Sequence, residues 1–203
     1  MHPLVPREEG RSSGEVAVYI NWTKDVFIDP VTLTAGPGPN GIPIPTYGNY
    51  GGPDYTDGSI GGTIPLGGGV APVDQLDALF KAHDLAYQNS GATEDPSADL
   101  ALIHGIEYLT ATHQLDAEAS FYGGAAILGV AAFMAHYGHP LSPGELSLAD
   151  ATALYDIQYG LSHLSSTERA MATAELQNIV DAFGHSIVQL VGTTNLPTIH
   201  FHL

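Results

Sequence analysis

Residues 72–87 read PVDQLDALFKAHDLAY, and the fold turns on them. Leu76, Leu79, Phe80, His83 and Tyr87 recur three or four apart, which puts them on one face of an α-helix. His83 is thus a titratable ring set among Leu and Phe. Asp84, the next residue, points about 100° away around a helix of 3.6 residues per turn. One short helix therefore presents an imidazole and a carboxylate in adjoining directions. The imidazole can take a proton from water near neutral pH, and the carboxylate can hold a cation. Pro72 suits a first helical turn, so the helix is expected over 72–88, closed by Asn89, Ser90 and Gly91.

Upstream, Ala35 to Val70 is rich in Gly and Pro and cannot be regular helix. Such a long irregular loop is uncommon inside a compact domain and tends to be functional. It gathers Tyr47, Tyr50, Asp54 and Asp57, which a plain linker would not. Further upstream, EVAVYINWTKDVFIDPVTLT (15–34) holds strand formers broken by Asn21 and Asp29-Pro30, so one or two short strands are expected there. Trp22 reads as a packing residue, with an interfacial lipid anchor as the alternative. Residues 1–15 read as a flexible terminus.

Downstream, the text is helical. Asp95-Pro96-Ser97 opens a second helix, Asp116 caps a third, a fourth spans 147–164, and a fifth spans 166–191 behind a capping box of Ser165 or Ser166 with Glu168. The third is apolar almost all round, as in a helix buried by its neighbours, with a membrane-inserting hairpin as the alternative. Gly123, Gly124 and Gly129 would let another helix approach it closely. Its apolar run, 121–135, is shorter than the about 20 residues that span a bilayer.

Composition narrows the function. Lys and Arg number 5 against 22 Asp and Glu, a formal net charge of −17. No basic stripe exists to displace counterions from phosphates, so nucleic acid is excluded as a partner. Docking by Lys and Arg clusters on anionic membrane is excluded on the same ground. The chain has no Cys, hence neither disulfides nor thiolate metal sites. No secretory leader is legible at the N-terminus.

A hard cation such as Ca2+ takes six to eight oxygens, and carbonyls of irregular loops are common donors. YGNYGGPD (47–54) is such a loop, and Asp84 would add a carboxylate. The cation would polarise an ester carbonyl, and His83 would act as general base on a water. His83 then needs an acceptor on its other ring nitrogen. Asp99, in the first turn of the second helix, is the best placed; Asp95, just before Pro96, suits a cap better. Tyr87 would hydrogen-bond that acceptor. The plain alternative for His83 is a satisfied core histidine. His136 with His139, and His200 with His202, have ligand-like spacing without acidic partners nearby in sequence. No Gly-x-Ser-x-Gly elbow supports a serine hydrolase.

YGNYGG (47–52) followed by PVDQLDALFKAHDLAY (72–87) resembles the secreted phospholipase A2 family, with its Tyr-Gly-x-Tyr-x-Gly calcium loop, Pro-Val-Asp-x-x-Asp and His-Asp-x-x-Tyr. Without Cys, and with Gly52-Pro53 in the loop, the chain is more similar to the disulfide-free relatives in parvoviral capsids and bacteria. The resemblance covers about 40 residues in two blocks of fixed order; the chain beyond about Leu109 carries none. It implies His83 as general base, Asp84 as calcium carboxylate, and Tyr87 and Asp99 as the network that orients the base. It also implies backbone carbonyls of Tyr50 and Gly52 on Ca2+, with the Gly52 amide on the oxyanion. Where the family has a third, glycine carbonyl, this chain has Asp54. Between loop and helix it also carries an insert, TDGSIGGTIPLGGG (56–69). Asp54 and Asp57 would be either ligands of a second calcium or solvated turn residues.

The expectation is a mainly α-helical single domain over 16–203, with a helix pair and calcium loop at about 45–110 and a helical extension at about 115–191. The implied activity is calcium-dependent hydrolysis of the sn-2 ester of glycerophospholipids. The partner would be a phospholipid surface, bound peripherally, with the protein secreted or delivered to target membranes. The rivals are a non-catalytic lipid- or protein-binding module on the same scaffold, and a hydrolase of another lipid ester.

Overall fold

The computed structural model describes residues 19–29, 31–36 and 41–177. Residues 1–15, the fifth helix past 177, and His200 and His202 lie outside them. The described residues are mainly helical, with two small sheets.

β1 (Ile20–Ile28) is the centre of an antiparallel sheet ordered β2-β1-β3, with β2 at Ala35–Gly36 and β3 at Ile42–Tyr47. Val26 faces Ile44 and Ile28 faces Ile42, with a register shift between Asn21 and Asp25. β3 reads IPIPTY, and the sequence alone places it in loop, since its prolines look like breakers. As an edge strand it tolerates residues that lack an N–H. β4 (Tyr55–Thr56) and β5 (Ser59–Ile60) form a two-stranded hairpin inside the insert. Its turn is Asp57-Gly58, with φ of 54° and 76°, the left-handed pair that a tight hairpin favours.

α1 is Gln75–Ser90, capped by Asp74, whose carboxylate accepts the Asp77 N–H, and ended by Gly91. Pro72 therefore precedes the helix rather than entering its first turn, because Asp74 satisfies the free amides further along. α2 (Pro96–Ala111) starts behind Asp95, and α3 (Ala117–His136) behind Asp116. α4 (Pro143–His163) begins four residues earlier than its apolar pattern suggests, at a capping box of Ser142 and Glu145. α5 is described over 166–177, opened by a reciprocal pair of hydrogen bonds between Ser165 and Glu168.

One core unites these elements: Leu76 and Phe80 of α1, Leu102, Ile103 and Ile106 of α2, Phe121, Tyr122 and Ile127 of α3, Ala149 and Ala153 of α4. α3 and α4 meet backbone to side. A Cβ on Gly124 would lie 2.7 Å from the Ala153 carbonyl, and one on Gly160 2.7 Å from that of Ala117. Gly124 thus does what its position suggests, and a Cβ on Gly123 would lie 3.2 Å from Ile106 of α2. Gly129 meets nothing within 4 Å and serves no helix contact. By length and composition α3, at 20 residues and mean hydropathy 1.4, is long and apolar enough to cross a membrane; the run 121–135 alone understates it. Here half of its most apolar window is buried inside the fold.

α3 also closes the sheet. Glu118, buried in its first turn, accepts the Tyr19 N–H at 2.7 Å and the Ile20 N–H at 2.9 Å. The Tyr122 hydroxyl donates to the Pro45 carbonyl at 2.8 Å, and its ring lies 5.0 Å from Tyr47 and 5.7 Å from Phe80. Trp22 packs 6.1 Å from Phe121, as a packing residue should. The helices from 115 onward are therefore built into the wall behind residues 45–110.

Candidate functional site

Leu76 and Phe80 of α1 point into the core, and one turn on His83 reaches the rim, its side chain 20% exposed. A short connection lets α2 return against α1, which brings the first turn of α2 to the middle of α1. The His83 Nε2 lies 2.9 Å from Asp99 Oδ1, and the Tyr87 hydroxyl donates to that same oxygen at 2.9 Å. Asp99 is almost wholly buried, so both donors serve a carboxylate with little water to itself. Asp95 caps α2 instead, accepting the Ala98 N–H.

With Nε2–H on Asp99, the neutral ring carries its lone pair on Nδ1. Nδ1 lies 3.6 Å from Asp84 Oδ1, too long for a hydrogen bond. The Thr56 hydroxyl donates to the other oxygen, Asp84 Oδ2, at 2.7 Å. Burial opposes charge on the His83 ring, but Asp84 and Asp99 outweigh it and push its pKa up to about 9. Burial raises the Asp84 carboxyl, against the pull of His83 and Thr56. Two carboxylates around one imidazole leave a surplus of negative charge, the condition that draws a cation.

Asp77 fixes the loop to the helix. It is fully buried and accepts the N–H of Asn49 at 3.0 Å, of Tyr50 at 2.9 Å and of Val73 at 2.9 Å. Gly48 makes room for it: φ is +53°, and a Cβ there would lie 2.5 Å from Asp77 Cγ. Asp74 accepts the Tyr47 hydroxyl. Both acids stand in PVDQLD, and the sequence by itself assigns neither a task. The signal was available: acids at a helix start beside a glycine turn are acceptors for unpaired amides.

The other expected ligands sit as follows. The Tyr50 ring is buried, and its hydroxyl donates to Asp57 Oδ1 at 3.0 Å and to the Val70 carbonyl at 2.6 Å. The Gly52 carbonyl accepts the Tyr55 N–H at 3.2 Å, and the Asp54 carbonyl accepts the Gly61 N–H at 2.6 Å. Each carbonyl keeps a second lone pair. Asp54 has φ +52°, a left-handed conformation that Asp tolerates better than most side chains. Asp57 Oδ1, which receives the Tyr50 hydroxyl, also accepts the Val70 N–H.

The insert lies along the outer face of α1, at positions one helical turn apart. Lys81 Nζ donates to the Val70 carbonyl at 2.8 Å, Asp84 receives Thr56, and the Gln88 amide exchanges two 2.8 Å hydrogen bonds with the Ile64 backbone. A groove of about 500 Å3 lies between α2 and α4, lined by His104, Tyr108, Leu148 and Tyr155 among others, and no residue of the His83 set lines it. His139 pairs at 3.6 Å with Glu94. Among the described residues no group of three His, Cys, Asp or Glu could hold a metal. At Asp84 the structure shows a carboxylate with the Thr56 hydroxyl on one oxygen. Oxygen donors of this kind suit a hard cation such as Ca2+ rather than zinc.

No family model matches the chain, nor does any curated protein or solved structure.

Proposed function

We propose that this chain is a calcium-dependent phospholipase A2, hydrolysing the sn-2 ester of glycerophospholipids, on a phospholipase A2-like pair of antiparallel helices. The observation that carries this is the contact of His83 Nε2 with Asp99, itself bonded to Tyr87, while Nδ1 lies 3.6 Å from Asp84 Oδ1. A core histidine would need no such arrangement. Asp99 and Tyr87 hold the ring in the Nε2–H tautomer. In the ring's neutral form, which Ca2+ beside Asp84 would favour against a pKa of about 9, Nδ1 takes a proton from water as the water oxygen attacks the ester carbonyl, then returns it to the departing glycerol oxygen. The Gly52 amide would donate to the oxyanion. Asp84 with the carbonyls of Tyr50, Gly52 and Asp54 would hold Ca2+, which when bound polarises the ester carbonyl and offsets the developing negative charge.

The proposed partner is the surface of a phospholipid bilayer, reached by secretion or delivery to the target membrane. Leu66 is fully exposed, and Val70 and Val73 are nearly half exposed, all on or beside the insert that flanks His83. Apolar side chains so placed suit a lipid interface.

The test is fatty-acid release from phosphatidylcholine vesicles, first with calcium and then with a chelator. Release should need calcium, fall on sn-2 rather than sn-1 chains, and drop at least about 100-fold in His83→Gln. Vesicle binding without release would make the chain a lipid-binding module. Equal rates in parent and His83→Gln would remove the base.

A further inference from the structure

We infer that Thr56 belongs to the site as a positioning residue, holding the Asp84 carboxylate ready for its cation. The inference rests on the calcium reading above and concerns a residue of the insert, outside the loop and helix motifs. Its hydroxyl donates to Asp84 Oδ2 at 2.7 Å, and Asp84 Oδ1 stays 3.6 Å from His83 Nδ1. With Nε2–H on Asp99, Nδ1 carries a lone pair and offers Asp84 no proton, so the imidazole does not hold the carboxylate in place. The Thr56 hydroxyl is the donor that fixes it; without that bond the carboxylate is free to rotate and must be ordered again when a cation binds. A hydroxyl is a neutral donor and takes one lone pair of Oδ2, so the carboxylate keeps acceptor sites for a cation.

Thr56 can do this because its hairpin is fixed from several sides. It pairs with Ser59 across the turn, while Lys24 Nζ donates to the Gly58 carbonyl at 2.6 Å and sits 4.7 Å over the Tyr55 ring. Asp57 is tied to Tyr50 and Val70, and Ile64 to Gln88. The insert is thus a built support on the outer face of α1, and Thr56 is the point where it touches the charged pair.

The test uses the full chain and calcium chloride alone, titrated by calorimetry without lipid. Thr56→Val removes the hydroxyl at nearly constant shape in a strand position that suits a β-branched residue. It should bind calcium about tenfold more weakly than the parent, the loss expected for one hydrogen bond to a charged group. Thr56→Ser, which keeps the hydroxyl, should stay within about twofold. Thr56→Ala serves as a second hydroxyl-free variant if circular dichroism shows Thr56→Val misfolded. Calcium binding as tight as the parent in a folded hydroxyl-free variant overturns the role of Thr56 and leaves the calcium reading standing. A parent chain that binds no calcium overturns both.

Discussion

Asp77 is where the loop can be cut from the helix by one atom. Its carboxylate serves the amides of Asn49, Tyr50 and Val73, with no exposure to solvent. Asp77→Ala leaves those three donors unpaired. A buried unpaired donor costs about 1–3 kcal/mol, so with partial entry of water the loss should be about 3–5 kcal/mol. That is a large share of the about 5–15 kcal/mol by which a domain is stable. Asp77→Asn, which keeps one acceptor oxygen and turns an amide group toward a donor, should cost about 2–3 kcal/mol. Urea unfolding followed by circular dichroism measures both, at constant slope. Because the freed backbone is the one expected to hold calcium, any folded Asp77→Asn should also bind the ion more weakly in calorimetry. A loss below about 1 kcal/mol in Asp77→Ala would mean that the amides find other partners and that the loop is not hung on this residue.

Three further outcomes follow from particular residues. The Asp156 carboxyl, 1% exposed, is pushed by burial up to about 6, against the pull of the hydrogen bond from the Thr110 hydroxyl. The folded protein then holds a proton that the unfolded chain loses near pH 4, so this group's contribution falls as pH rises from about 4 to about 6. Asp156→Asn should stabilise the fold above pH 6 by about 1–3 kcal/mol, change little below pH 4, and flatten the profile between; equal profiles would refute the burial argument. Gly124→Val, driven against the Ala153 carbonyl, should cost at least about 1–3 kcal/mol in thermal unfolding, whereas Gly129→Ala, facing open space, should gain about 0.5–1 kcal/mol; a reversed order would misplace the α3–α4 contact. At a net charge of −17, added salt should speed binding to anionic vesicles by screening repulsion, and a slowdown in stopped-flow would contradict an acidic docking face.

The helices were legible because their caps and apolar periods are local: Asp95, Asp116 and the Ser165–Glu168 box sit where the sequence puts them. So was the meeting of His83, Tyr87 and Asp99, since a short connection forces α2 back on α1. What stayed hidden depends on distant partners. β3 is written with prolines, and only its place at a sheet edge makes it a strand. The insert reads as glycine-rich coil, and nothing local announces that Thr56 reaches Asp84 or that Gln88 takes the Ile64 backbone. The task of Asp77 is hidden too, because two of its partners lie 27 and 28 positions earlier and the third just before the helix cap.

The clasp of Glu118 on the first amides of β1 joins residues 98 and 99 positions apart. Every residue of the proposed catalytic and calcium set, from Tyr50 to Asp99, lies within the span that this clasp encloses. During synthesis the imidazole and its acids are made before the residue that shuts the sheet behind them. The nascent chain must therefore wait, with its apolar residues uncovered, for a late segment to complete the wall. A stop codon placed between α2 and α3 should yield a product that contains every proposed reactive group and lacks the scaffold to aim them.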